Sequence, residues 1–176
     1  MKFETTNSEE LYRGKAINLW RERVLYPDGR AATVEIIKHP GAVTILPVDK
    51  EGNIWFVRQY RHPAGQMLLE LPAGTLEIGE DPQNTAAREI REEIGMAAES
   101  LEELIRFYPV PGYSTEYMYA YLATGLYPAP LAQDESEFIQ VEKYPIVEAY
   151  AMFERGEIID GKTLAVLALV QKRLTG

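Results

Sequence analysis

Three glutamates, Glu89, Glu92 and Glu93, stand at i, i+3 and i+4 in the run Arg88-Glu89-Ile90-Arg91-Glu92-Glu93. On an α-helix that spacing puts all three carboxylates on one face. Like charges within one turn repel by a few tenths of a kcal/mol per pair, so such a helix needs a cation beside it. Hard oxygen donors gathered this way suit Mg²⁺, with Mn²⁺ as the alternative, and Mg²⁺ ordinarily combines a few carboxylates with water and phosphate oxygens. The competing reading is a solvated face on which Arg88 and Arg91 pair with the glutamates.

The surrounding residues predict the helix. Asp81 before Pro82 reads as an N-cap followed by proline in the first turn, and Gly95 reads as the residue past the last turn. Ala86, Ala87, Ile90 and Ile94 fall on the adjoining face and are expected to pack into a core. The carboxylate stripe then lies at the edge of a crevice. A glycine loop precedes it, and the whole segment from Gly74 to Met96 fits G-x5-E-x7-R-E-U-x-E-E-x-G-U, where U is aliphatic, through Gly74, Glu80, Arg88, Glu89, Ile90, Glu92, Glu93, Gly95 and Met96. At about 7% per fixed position, a chance match is on the order of 10⁻⁸ per window, which sets aside the solvated-face reading.

This segment resembles the Nudix box, the signature of hydrolases that cut diphosphates attached to another group. The resemblance implies an α/β fold, a Nudix-type α/β/α sandwich with a mixed β-sheet. It also implies a metal site in which Glu89 and Glu93 lead, Glu92 follows and the carbonyl of Ala73 completes the set. The cation there neutralises phosphate charge and activates water. Glu80 and Arg88 are expected to pair and hold the loop against the helix. Further likeness narrows the branch. Phe56-Val57-Arg58-Gln59-Tyr60-Arg61 and Glu70-Leu71-Pro72-Ala73-Gly74 resemble the approach to the box in ADP-ribose pyrophosphatases. So does Pro111, sixteen residues beyond Gly95, within Pro109-Val110-Pro111-Gly112-Tyr113-Ser114-Thr115-Glu116.

By that resemblance, Arg58, Arg61, Glu70 and Pro111 are candidate substrate-binding residues; a guanidinium grips phosphate oxygens bidentately. Each also has a plainer reading: surface ion pairs for the arginines, a solvent-facing strand residue for Glu70, a turn-former for Pro111. The general base in related enzymes is a glutamate on a loop before a late strand. Here Glu137 fits that register, with Glu135 in reserve. Glu92 and Glu93 count with Glu137 as catalytic candidates. Trp20 is either a core residue or an aromatic that stacks the adenine across a homodimer interface. The implied reaction is Mg²⁺-dependent hydrolysis of ADP-ribose to AMP and ribose 5-phosphate. GDP-mannose or a broader range of nucleoside-diphosphate sugars is the alternative substrate, and a non-catalytic nucleotide-sugar sensor is the alternative outside catalysis. A purely structural dimerisation domain leaves the glutamates without a purpose.

The elements that must position these residues follow from pattern. A strand, turn and strand are expected over 15–38. Ala42–Val48 and Ile54–Tyr60 should form two strands of a core sheet, and Leu68–Leu71 a short extended piece before the box. Strands are expected to begin at Leu101, Tyr117 and Phe138, with a loop over Gly125–Ser136 and two helices over 146–155 and 161–174. Residues 1–12 carry no clear signal. The expected organisation is an N-terminal β arm over 1–40, part of a dimer interface, and a hydrolase domain over 41–176.

Composition sets the bounds. With 176 residues, 46% hydrophobic and 26% charged, the chain suits one soluble globular domain with a short addition. A net charge of −9 disfavours nucleic acid as a partner, and no apolar run is long enough for a membrane helix. The absence of an export signal points to the cytoplasm. No cysteine is present, so disulfides and thiolate metal sites are ruled out.

Overall fold

The computed structural model describes residues 1–14, 17–133 and 138–176. The chain divides into two compact units: Met1–Gly41 with Phe107–Met118, and Ala42–Arg106 with Tyr119–Gly176.

In the first unit, β1 (Glu4–Arg13), β2 (Asn18–Leu25) and β3 (Ala31–Lys38) form an antiparallel meander. The turn between β2 and β3 is closed by Tyr26 N–H donating to Arg30 O at 2.7 Å and Gly29 N–H donating to Tyr26 O at 3.0 Å. β1 has no strand signal of its own, since its residues are polar on both faces. Pairing with β2 makes it a strand, an instance of context overriding propensity. The loop after Phe107 joins β3: Ile37 N–H donates to Tyr113 O, and Thr115 N–H to Ile37 O.

The second unit holds β4 (Ala42–Pro47), β5 (Asn53–Arg61), β6 (Gln66–Glu70), β7 (Ala73–Thr75), α1 (Pro82–Glu93), most of β8 (Met96–Phe107) and β9 (Met118–Pro128), β10 (Ile139–Pro145), α2 (Ile146–Glu154) and α3 (Gly161–Thr175). Its strands form a four-stranded sheet, β7-β4-β9-β8, and a three-stranded one, β10-β5-β6, which with the three helices make the α/β class expected. Every residue of β4 is buried, Thr44 among its apolar neighbours included. Val43 and Ile45 of β4 meet Ala86, Ile90 and Ile94 of the α1 region, together with Val57, Leu76, Tyr121 and Ala123, in one core cluster. Three expectations fail in detail. β8 begins at Met96 and not at Leu101. Ala87 is exposed, and Thr85 takes the buried place in the first turns of α1. β9 also runs on through Gly125 to Pro128, because Leu126 packs against the core cluster and carries the strand outward. The loop expected from Gly125 therefore begins at Ala129.

Candidate active site

α1 starts where its capping residues say it should. Asp81 accepts from Gln83 N–H at 2.9 Å and Asn84 N–H at 3.4 Å, with Pro82 in the first turn. It ends before Gly95, whose φ of +71° is the left-handed conformation that glycine adopts without strain. The last-turn carbonyls, which a helix leaves without partners, are taken up by the loop after β9. Leu131 N–H donates to Arg91 O, Ala129 N–H to Gly95 O and Gln133 Nε2 to Glu93 O, while Arg91 Nε donates back to Ala129 O. The chain entering residues 134–137 is thus pinned to the end of the glutamate helix. Glu135 and Glu137, the two candidate bases, lie outside the described residues.

The helix carries its cation internally. Arg88 Nη1 donates to Glu89 at 2.7 Å and to Glu92 at 2.8 Å, and its other nitrogens reach Glu80 at 3.4 and 3.3 Å. Burial alone disfavours the Arg88 charge, but these three carboxylates outweigh it and raise the guanidinium above its ordinary pKa. The expected Glu80–Arg88 pair is present, and Arg88 has the further part of separating two candidate metal ligands. Glu93 is only 4% exposed, and its carboxylate accepts Ala73 N–H at 3.0 Å. Among the described residues, no three carboxylate or imidazole side chains are arranged to hold a metal ion; Glu80, Glu89 and Glu92 meet at the Arg88 guanidinium instead.

The donor set nevertheless fits a hard divalent cation. It comprises three carboxylates on one helix face and the backbone of Ala73, all oxygen. The local geometry also reserves space for Glu89. A Cβ placed on Gly74 would lie 1.9 Å from the Glu89 carboxylate, so only glycine lets β7 pass this close to it. That contact explains why a glycine opens the segment.

The candidate substrate residues separate by face. The pairings of β5 with β6 and β10 run without a bulge, so Arg58 and Arg61, three apart, leave opposite faces of the sheet. Arg58 forks onto Glu142 of β10 at 2.5 and 3.0 Å, and Tyr144 Oη donates to the same carboxylate at 2.5 Å. Arg61 forks onto Glu70, both contacts at 2.8 Å, and feels the charges of Glu93 and Asp160 as well. Arg61 and Glu70 are therefore together on the Glu93 side, and Arg58 is not with them. Glu70 is not solvent-facing; it is 1% exposed. Burial pushes its pKa up, but hydrogen bonding from Arg61 and the charge of Lys162 prevail and hold the carboxyl below its ordinary range.

Trp20 and Pro111 belong to the first unit. Trp20 lies on β2 opposite Glu10 and Ile36; it is half-buried, not a core residue, and Lys38 Nζ sits 3.8 Å over its ring. Pro111 is exposed, in a turn closed by Tyr113 and Ser114 N–H groups donating to Val110 O. Sequence reasoning missed Asp160, Lys162 and Thr163. The only signal they carried was an Asp-Gly-Lys-Thr start to the last helix, which reads as an ordinary cap.

A family model described as NUDIX domain matches residues 38–167. The chain is 43% identical over 177 residues to an ADP-ribose pyrophosphatase of Mycobacterium tuberculosis (strain ATCC 25618 / H37Rv), covering 99% of this chain and 86% of that one. It is 39% identical over 170 residues to an ADP-ribose pyrophosphatase of Bacillus subtilis (strain 168), covering 96% and 92%. A solved structure described as an ADP compounds hydrolase superposes with a TM-score of 0.88 over 100% of this chain and 96% of that one, at 24% identity, a likeness of fold.

Proposed function

The chain belongs to the NUDIX family and is a pyrophosphohydrolase, and from that premise we propose that it hydrolyses ADP-ribose to AMP and ribose 5-phosphate with Mg²⁺. The observation that carries the reading is the buried Glu93 carboxylate beside the Ala73 backbone, with Glu89 and Glu92 on the same helix face and Arg61 directed to the same side. In this reading Glu89, Glu92, Glu93 and the Ala73 carbonyl hold the metal, Mn²⁺ serving in place of Mg²⁺. When bound, the cation supplies charge neutralisation and Lewis acidity at the diphosphate.

The protein's own groups do the rest. Arg61 keeps donors beyond its two bonds to Glu70 and offers them to phosphate oxygens. Glu137, or Glu135 in its stead, takes the proton of the attacking water. Trp20 from the N-terminal arm, residues 1–40, stacks the adenine in the site of a second copy, with Pro111 shaping the neighbouring loop. The active unit is then a homodimer working in the cytoplasm. Arg58, tied to Glu142 on the far face of its sheet, has the weakest claim to a substrate contact within its own subunit.

The test is incubation with Mg²⁺ and, separately, ADP-ribose, GDP-mannose, UDP-glucose and NADH, with the products resolved. AMP and ribose 5-phosphate formed fastest from ADP-ribose support the proposal. Faster turnover of GDP-mannose overturns the substrate but not the chemistry, and binding without any product makes the chain a sensor.

A further inference from the structure

Resting on the hydrolytic reading, we infer that Asp160, Lys162 and Thr163, at the start of α3, are positioning residues. They hold Glu70 and Leu71 so that Arg61 and the Ala73 backbone keep their places beside Glu93. Four consecutive residues, Glu70 to Ala73, run past the site, and each is tied by a different group. Glu70 meets Arg61 and Lys162 through its carboxylate. Leu71 N–H donates to Thr163 Oγ1 at 2.9 Å. Pro72 O accepts from Ile45 N–H at 2.8 Å. Ala73 N–H donates to Glu93 at 3.0 Å. Two of the four ties come from one turn of a helix some ninety residues away in sequence.

Helix capping does not account for that turn. An N-cap needs only the Asp160 carboxylate on Thr163 N–H, which is present at 3.0 Å. Beyond it, Thr163 donates its hydroxyl to Asp160 at 2.7 Å while accepting from Leu71, so that one buried oxygen relays the cap to the strand. Lys162 stands in the first turn, where a positive charge opposes the helix dipole, and its side chain is only 10% exposed. It gains nothing for the helix there. It joins Asp160, at 3.0 Å, to Glu70. With Lys162 as a second cation on Glu70, the Arg61 guanidinium is not the sole counter-charge of a buried carboxylate, and its remaining donors stay available on the Glu93 side. The two arms have separate targets: Thr163 acts through Leu71 on Ala73, and Lys162 acts through Glu70 on Arg61.

The experiment compares Thr163→Val, Thr163→Ser and Lys162→Met with the wild type. It reads Mn²⁺ binding without substrate, from the free-ion paramagnetic resonance signal, together with melting temperature and steady-state kinetics on ADP-ribose. Thr163→Val is expected to weaken Mn²⁺ binding about tenfold, and Thr163→Ser, which keeps the hydroxyl, to restore it to within about twofold. Lys162→Met is expected to raise KM about tenfold with kcat and Mn²⁺ affinity nearly unchanged. Variants that melt lower but bind Mn²⁺ and ADP-ribose like the wild type reduce the cluster to a structural clamp and overturn the inference. Failure of serine to restore binding removes Thr163 from it, and an unchanged KM removes Lys162. If Thr163→Val does not fold, the Lys162→Met kinetics decide. If the wild type binds Mn²⁺ but leaves ADP-ribose intact, the substrate assignment fails, while the Mn²⁺ comparison still decides the role of Thr163.

Discussion

Glu93 sits in surroundings unlike those of an ordinary helix-surface glutamate. The spacing rule makes it one of three repelling charges, and on that ground alone its neutralisation would hold or raise stability. The structure reverses the sign, because this carboxylate is buried and receives the Ala73 N–H. A glutamine there keeps an acceptor oxygen but loses the charge that strengthens the bond. Glu93→Gln is therefore expected to lower stability by about 1 kcal/mol and kcat by at least ~10²-fold through loss of a metal ligand. Melting curves and single-turnover rates in Mg²⁺ check both, and near-normal turnover refutes the metal assignment. The base is a separate question at the same scale. Glu137→Gln should depress kcat far more than it shifts KM, with Glu135→Gln mild. The reverse pattern moves the role to Glu135, and small equal effects move it off the loop altogether, to a glutamate of the box or to Glu116.

The box helix was legible from sequence because its signals are local: a cap, a proline, a terminal glycine and a 3.6-residue apolar repeat all lie within Gly74–Met96. The strands over 42–48 and 54–60 and the two C-terminal helices were legible from their apolar patterns as well, but other parts were not. β1 has no pattern of its own, the Gly125 strand extension depends on where Leu126 packs, and the plainer reading of Glu70, solvent-facing on a strand, fails because its partners, Arg61 and Lys162, come from elsewhere in the chain. Long-range ties leave no periodic trace. One of them makes a test of β7: Gly74→Ala puts a methyl group where the Glu89 carboxylate lies. It should cost metal affinity about tenfold or more while the circular-dichroism spectrum stays that of the wild type. Another sets a pH dependence on β6. Glu70 has its folded-state pKa below the unfolded value of about 4.3. Its stabilisation is then fully present above that value and is lost as pH falls through the lower folded pKa. Glu70→Gln should be less stable than the wild type at pH 7, and the gap should narrow as pH drops below ~4. A gap that stays constant down to pH 3 would mean that the ion cluster contributes nothing.

An acidic chain of net charge −9 that handles a dianionic diphosphate must concentrate its few cations locally; near the glutamates, Arg61, Arg88 and Lys162 each already hold a carboxylate, and Arg91 holds the Ala129 carbonyl. On the proposed function, recognition of the uncharged end of the substrate falls to aromatic surface. Trp20 is suited to it: no residue of β1, β2 or β3 is buried, and the Trp20 ring is half-buried with Lys38 over one face. Since Trp20 is not core, Trp20→Ala should cost about 1 kcal/mol, the worth of the cation–π contact, and not the ~3–5 kcal/mol of a core aromatic. Stacking is worth about 1–3 kcal/mol per base, so KM for ADP-ribose should rise about tenfold with kcat within a few-fold. Whether the ring serves its own site or that of a second copy is decided by mixing. Trp20→Ala keeps an intact box without the ring, and Glu93→Gln keeps the ring with a disabled box. In a dimer with exchanged aromatics, a mixed pair contains one site whose box and ring are both intact. An equimolar mixture allowed to exchange subunits should then turn over low ADP-ribose concentrations faster than either variant alone. If each ring serves its own box, or the protein is a monomer in sedimentation, mixing adds nothing beyond the average of the two.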